Sequence, residues 1–332
     1  MILITSKSIY LYMHTNHLHT NPSQTNPLLI ILGPTASGKT RLAVSVAAEL
    51  NGEIISADSR QVFRGMDIGT GKDLQEYTLD GQAIPYHLIN IRDAGGQYNV
   101  NAFKDDFYEA YDQIRTRGNL PILCGGTGMY IHSILQNHEY TAIPVNDELR
   151  AALPVHDIEL LRKMLHAYPR ELTAQADLSS AKRLVRAIEI ADFLQENTLE
   201  EELRPELDTL VIGLTGDVEQ RRERILNRMN ARFDEGMIEE VEQLLKQGVT
   251  PEMLTFYGME YKFVTDYLQK RVSFSDLKEK LYIAIRQFAK RQMTFFRKME
   301  KDGVMINWLN TEIGPEALKE EVMKLYIQKY RA

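Results

Sequence analysis

The sequence predicts an α/β protein: a parallel sheet flanked by helices, interrupted once by an all-helical insertion. Three observations predict it. Short apolar runs recur along the chain, as they do in strands buried on both faces. Helix-length amphipathic stretches fill the gaps between the runs, the alternation that defines the α/β class. A glycine-rich loop joins the first run to the first helix.

The runs are Leu28-Leu29-Ile30-Ile31-Leu32, Glu53-Ile54-Ile55-Ser56-Ala57, His87-Leu88-Ile89-Asn90-Ile91, Leu120-Pro121-Ile122-Leu123-Cys124 and, much later, Leu210-Val211-Ile212-Gly213-Leu214. Helical patterns occupy 39–50, 101–117 and 127–136. Between 140 and 206 the strand signal vanishes, and Leu153, Leu160, Leu161, Leu165, Leu184, Ile188 and Phe193 follow helical spacing. The chain then returns to the sheet and ends in long amphipathic helices over 218–247 and 276–300. The expected organisation is a disordered tail at 1–27, a core at 28–139, a helical insertion at 140–206 and the second part of the core at 207–332. The tail carries His14, His17 and His19 without a nearby carboxylate or cysteine, so solvated chain is favoured over a metal site. Met13 offers an alternative start.

Composition narrows the class. The 332 residues carry 39 Lys+Arg against 46 Asp+Glu, a net charge of −7, with 44% apolar and 26% charged residues. Such a chain can bury a core and needs no disulfide. Its one cysteine, Cys124, can form neither an internal disulfide nor a thiolate metal site, which fits a reducing cytoplasm. No apolar run approaches the roughly 20 residues that span a bilayer, so no membrane partner is expected. Mild acidity excludes a wholly basic nucleic-acid surface but leaves room for a local basic patch.

Gly33-Pro34-Thr35-Ala36-Ser37-Gly38-Lys39-Thr40 fits G-x-x-x-x-G-K-[ST] between a strand and a helix, the P-loop NTPase-like arrangement. Its glycines let backbone N–H groups converge on phosphate oxygens, and the helix N-terminus adds positive potential. Lys39 supplies a full charge, and the Thr40 hydroxyl can help to hold Mg²⁺. Asp58 ends the second run, at the sheet edge where open parallel sheets bind ligands. There it can accept a proton or ligate a metal; capping the next turn is the bland alternative. Cys124-Gly125-Gly126-Thr127-Gly128 ends the fourth run, where Thr127 could meet a ligand or cap a helix. Three such features on one edge predict a pocket.

These segments, together with Asp58-Ser59-Arg60-Gln61-Val62-Phe63-Arg64-Gly65-Met66-Asp67-Ile68-Gly69-Thr70, Ile84-Pro85-Tyr86-His87-Leu88-Ile89, Gly125-Gly126-Thr127-Gly128-Met129-Tyr130 and Arg286-Gln287-Phe288-Ala289-Lys290-Arg291-Gln292-Met293-Thr294-Phe295-Phe296-Arg297, resemble the tRNA dimethylallyltransferase family over residues 28–309, in the same order. The resemblance implies transfer of a dimethylallyl group from dimethylallyl diphosphate to the N6 amine of the adenosine just 3′ of the anticodon, in tRNAs reading codons that begin with U. It implies that the loop holds the prenyl diphosphate with Mg²⁺ and that the anticodon stem-loop is the partner; a monomer is expected.

By the same resemblance, Asp58 is the general base, and Thr127 lies beside the reacting amine. Arg228 faces the diphosphate, in a looser alignment: Asn230 stands where an acidic residue is more usual, and Arg232 is a competing cation for the same place. The tRNA-facing residues are Asp58, Ser59, Arg60, Gln61, Thr127, Arg150, Lys182, Arg183 and Arg186. Departures from the family pattern are Asn90 for an aspartate, Phe63 for a tyrosine, and Gly258-Met259-Glu260-Tyr261-Lys262 where Gly-Tyr-Lys-Glu is usual. Independently of family, residues 221–232 hold five arginines and one acid, and 286–301 hold six Lys/Arg and one acid. Such clusters can bind phosphates, the alternative being a solvated helix face. The alternative function is a small-molecule or nucleotide kinase using the same loop for ATP.

Overall fold

In the computed structural model, residues 25–136, 139–174, 176–199 and 204–330 are described. His14, His17 and His19 lie outside them, as does most of the expected tail. Six strands form one parallel sheet: β1 (Pro27–Leu32), β2 (Gly52–Ala57), β5 (Tyr86–His87), β6 (Leu120–Gly125), β7 (Asp208–Thr215) and β8 (Asn307–Asn310), in the order β5-β2-β6-β1-β7-β8. A small hairpin, β3 (Thr78–Leu79) and β4 (Gln82–Ala83), stands apart.

Alternate strand residues feed two cores. Leu29, Ile31, Ile54, Ile122 and Ile212 face α1 (Lys39–Leu50) and α13 (Pro315–Tyr330). Leu28, Ile30, Ile55, Leu123 and Val211 face the other layer. That layer includes α2 (Val100–Thr116), α3 (Gly128–Leu135), α8 (Val218–Asp234), α9 (Met237–Lys246), α10 (Pro251–Tyr257), α11 (Met259–Leu268) and α12 (Phe274–Lys301). Covering both faces is why these strands read as unbroken apolar runs. α12 begins at a Ser273/Asp276 capping box, buries Leu277, Leu281, Ile285, Ala289, Phe296 and Met299, and is followed by Gly303 at φ 95°. No helix among the described residues is long and apolar enough to cross a membrane.

The insertion supplies α4 (Asp147–Ala152), α5 (Ile158–His166), α6 (Arg170–Thr173) and α7 (Ala181–Glu196), which pack around their own cluster of Leu153, Leu161, Leu165, Leu184, Ile188 and Ala191.

Several expected elements are corrected. The third apolar run is not a five-residue strand. Leu88 and Asn90 take left-handed φ values of 61° and 58°, and the amides of Asn90 and Ile91 donate to the carbonyls of Gln61 and Val62. The run therefore leaves the sheet after His87 to brace the loop that follows β2. The helix expected over 218–247 is two helices, because Gly236 turns left-handed at φ 102° between them. The C-terminal region is not purely helical: the short, half-polar Asn307–Asn310 adds an edge strand beside β7.

Candidate active site

The strand order makes β2, β6 and β1 immediate neighbours. The segments after them, around Asp58, Thr127 and Gly33–Thr40, therefore emerge side by side at one sheet edge. Gly38 at φ 82° opens α1, and Ala36 is also left-handed at φ 59°. No side chain caps α1, and no acidic residue lies in its first turn. Its leading amides are thus open to an anion, as the loop motif requires. Lys39, Thr40 and the loop line a cleft of about 390 Å³, opposite Arg224, Arg228 and Arg232 from α8. Burial pulls the Lys39 ammonium below its ordinary value, while Asp58 and Glu76 favour its charge and Arg228 opposes it.

Arg228 is aimed by Asp73, which accepts from its Nη2 at 2.5 Å. Gly71, at φ 62°, lies directly under the Arg232 guanidinium, so a Cβ there would strike it. Arg232 also pairs with the partly buried Glu260, at 3.9 Å. Burial lowers the Arg232 pKa and raises that of Glu260. The reordered segment 258–262 thus places a carboxylate against the second cation of the cleft.

Asp58 is half-buried; its Oδ1 accepts from the Arg60 amide at 3.0 Å. Thr127 does not cap α3 with its side chain. Its Oγ1 instead accepts from the Ser59 amide at 3.2 Å, while its own amide donates to the Ala57 carbonyl at 3.1 Å. The ends of β2 and β6 are thereby locked together beside Asp58. Gln61 is turned inward, between Ser56 Oγ (3.0 Å) and the Gly71 carbonyl (3.2 Å).

Three residues that carried no role in the sequence reading shape this edge. Glu240 of α9 accepts from the amides of Asp67, Ile68 and Gly69 at 2.7, 2.7 and 2.9 Å, and from the Tyr261 hydroxyl at 2.8 Å. Lys72 is buried and donates to Phe63 O, Asp67 Oδ1 and Asn90 Oδ1. Asn90, the departure from aspartate, thus serves as a neutral acceptor for this lysine. Gln292 joins the loop at Thr35 to Gly126. Lys72 lies in a loop, and the partners of Glu240 and Gln292 are far away in sequence, so no local signal marked them. Phe63, the second departure, packs its ring on Tyr257 at 4.5 Å, and the Tyr257 hydroxyl bonds Gly95 N and Gly96 O.

The insertion residues divide. Arg150 makes a two-pronged pair with the buried Glu189 at 2.7 and 2.8 Å. Arg186 donates to the carbonyls of Tyr140, Ile143 and Pro144 and also reaches Glu189. Both are engaged inside the insertion. Lys182 and Arg183 are exposed at the start of α7, Arg183 pairing with Asp177 at 2.7 Å.

Thr40 lines the cleft with Asp73 and Glu76, which are paired to Arg228 and Arg41. One hydroxyl beside a phosphate cradle fits Mg²⁺, which takes few protein ligands and keeps waters and phosphate oxygens.

The IPP transferase family profile matches residues 61–299. The chain is 50% identical over 299 residues to tRNA dimethylallyltransferase 2 of Porphyromonas gingivalis strain W83, covering 90% of this chain and 99% of that protein. It is 48% identical over 289 residues to tRNA dimethylallyltransferase 2 of Bacteroides fragilis, covering 87% and 94%. The crystal structure of the full-length tRNA isopentenylpyrophosphate transferase of Bacillus halodurans superimposes with a TM-score of 0.67 at 30% identity, covering 92% of this chain and 97% of that one. With its phosphate loop, Asp58 and Thr127 on neighbouring strand ends, this chain belongs to the IPP transferase family.

Proposed function

We propose that this protein transfers the dimethylallyl group of dimethylallyl diphosphate to the exocyclic N6 amine of the adenosine just 3′ of the anticodon, in tRNAs reading codons that begin with U. The observation that carries the reading is the adjacency of an uncapped phosphate loop and the Asp58–Thr127 pair on neighbouring strand ends. The names and extents of the relatives support it.

The diphosphate lies along the loop amides and Lys39, with Arg228 and Arg232 on the opposite wall. As the C–N bond forms, the C–O bond to the diphosphate breaks, and its electron pair leaves with the diphosphate. Charge that builds on that leaving group meets preorganised donors. The amine proton passes to the Asp58 carboxylate; an adenine amine is a poor nucleophile, and a base in reach assists attack. Thr127 holds the β2 and β6 ends in register, which fixes where the amine meets the carboxylate. Mg²⁺, when bound through Thr40, neutralises part of the diphosphate charge. An amine inside the anticodon-loop stack reaches this edge only if its base is flipped out. The exposed Lys182 and Arg183, with the basic faces of α8 and α12, supply phosphate-binding charge. We place the protein in the cytoplasm as a monomer.

The test is a transfer assay with labelled dimethylallyl diphosphate, Mg²⁺ and unmodified tRNA whose anticodon ends in A, beside an ATP-hydrolysis control. Label on the adenosine after the anticodon is the expected result. Phosphate released from ATP without label on RNA would instead support the kinase reading.

A further inference from the structure

Gln292 is only 7% exposed and lies on the inner face of α12, between the buried Ala289 and Phe296. An amide in such a place must find partners, or its burial is costly. It finds two, both 2.9 Å away: Oε1 accepts from the Thr35 amide, and Nε2 donates to the Gly126 carbonyl. A backbone donor on one side and a backbone acceptor on the other leave one orientation for the side-chain amide. Gly126 carries an independent mark of the same contact, because a Cβ there would collide with Gln292 Nε2.

Thr35 immediately precedes Ala36, which is left-handed at φ 59° without being glycine. Such strain persists where the surroundings over-determine it. The bond from Thr35 N to Gln292 fixes the Pro34–Thr35 peptide, one residue ahead of the peptide that enters the strained Ala36. It also commits that amide away from the ligand, so the ligand-facing amides are those that follow.

We infer that Gln292 is a positioning residue: it holds the phosphate loop against the end of β6, keeping Ala36 left-handed and the following amides aimed at the bound diphosphate. The inference rests on reading the loop as a diphosphate site. It does not depend on what accepts the prenyl group.

The experiment is calorimetric titration of the full chain with inorganic pyrophosphate and Mg²⁺. Gln292→Met keeps side-chain volume and removes both hydrogen bonds; pyrophosphate affinity is expected to fall about tenfold, the worth of an ordinary hydrogen bond. Adding Ala36→Gly, a residue that takes positive φ freely, is expected to recover part of that loss. Affinity within twofold of wild type in Gln292→Met, or no recovery in the double variant, would overturn the assignment. Should Gln292→Met fail to fold, amide exchange in the wild-type protein decides: a slowly exchanging Thr35 N–H supports the tether, and a fast one contradicts it. Pyrophosphate titration does not require prenyl transfer, so an inactive wild type in the transfer assay counts against the proposed function alone.

Discussion

The Ser59 amide donates to the Thr127 hydroxyl at 3.2 Å across 68 residues of chain, tying the loop after β2 to the end of β6. A threonine at a strand–helix junction reads first as a helix cap, yet here the hydroxyl bridges two strand ends. It therefore bears on Asp58, one residue before Ser59.

Thr127→Val keeps the shape and removes the acceptor. The single-turnover transfer rate is expected to drop between tenfold and a hundredfold, with a stability loss of about 1 kcal/mol for one hydrogen bond. Thr127→Ser should retain most of the rate. Equal rates in Thr127→Val and wild type would reduce the bridge to scaffolding.

Basic residues of the insertion are expected to fall into two groups. Replacing Lys182 and Arg183 with alanine should weaken tRNA binding and flatten its dependence on salt, because exposed cations release counterions when they meet phosphate. Arg150→Ala should act on folding instead. It strips the main partner from a fully buried Glu189 carboxylate, at about 2–3 kcal/mol, less than a wholly buried pair because Arg186 remains and Arg150 is itself half-exposed. Denaturant melts and salt-series binding curves separate the groups, and an unchanged melt for Arg150→Ala would contradict the division.

Glu53 gives a dependence on pH. Hydrogen bonds from Arg117, reinforced by Asn119 and His87 against the cost of burial, hold its carboxyl at about 2, well below its ordinary 4.5. A depressed carboxyl contributes stability that is complete above its ordinary value and lost as pH falls through the folded value. The stability gap between wild type and Glu53→Gln should thus be full at pH 7 and narrow between about pH 4.5 and 2. A gap that stays constant over that range in denaturant titrations would remove Glu53 as the source.

How far the sequence carries depends on whether a residue's role is local. Gly33–Thr40 is legible because one short segment contains its whole chemistry. β1, β2, β6 and β7 are legible because burial on both faces makes them uniformly apolar. The run at His87–Ile91 misleads for the same reason, since apolar composition does not reveal the left-handed turns at Leu88 and Asn90. β8 is hidden by its shortness and its half-polar edge sequence, and Gly236 by the amphipathic pattern that continues across it. Gln292, Glu240 and the pairing of Arg150 with Glu189 are set by contacts 257, 171–173 and 39 residues apart, so no local pattern announces them. The basic character of residues 221–232 was visible, and the family resemblance pointed to Arg228; that Arg232 lines the cleft beside it, with Asp73 and Glu260 paired to the two arginines, was not.

Asp58 is proposed to receive the amine proton beside the diphosphate loop. That role is tested most directly by single-turnover prenyl transfer with Asp58→Asn, with tRNA affinity measured on the same preparation. The rate is expected to fall by about a hundredfold to ten-thousandfold, the range for a lost general base, with tRNA affinity held within a few-fold. A near-normal rate, or a collapse of tRNA binding that accounts for the whole loss, would contradict it.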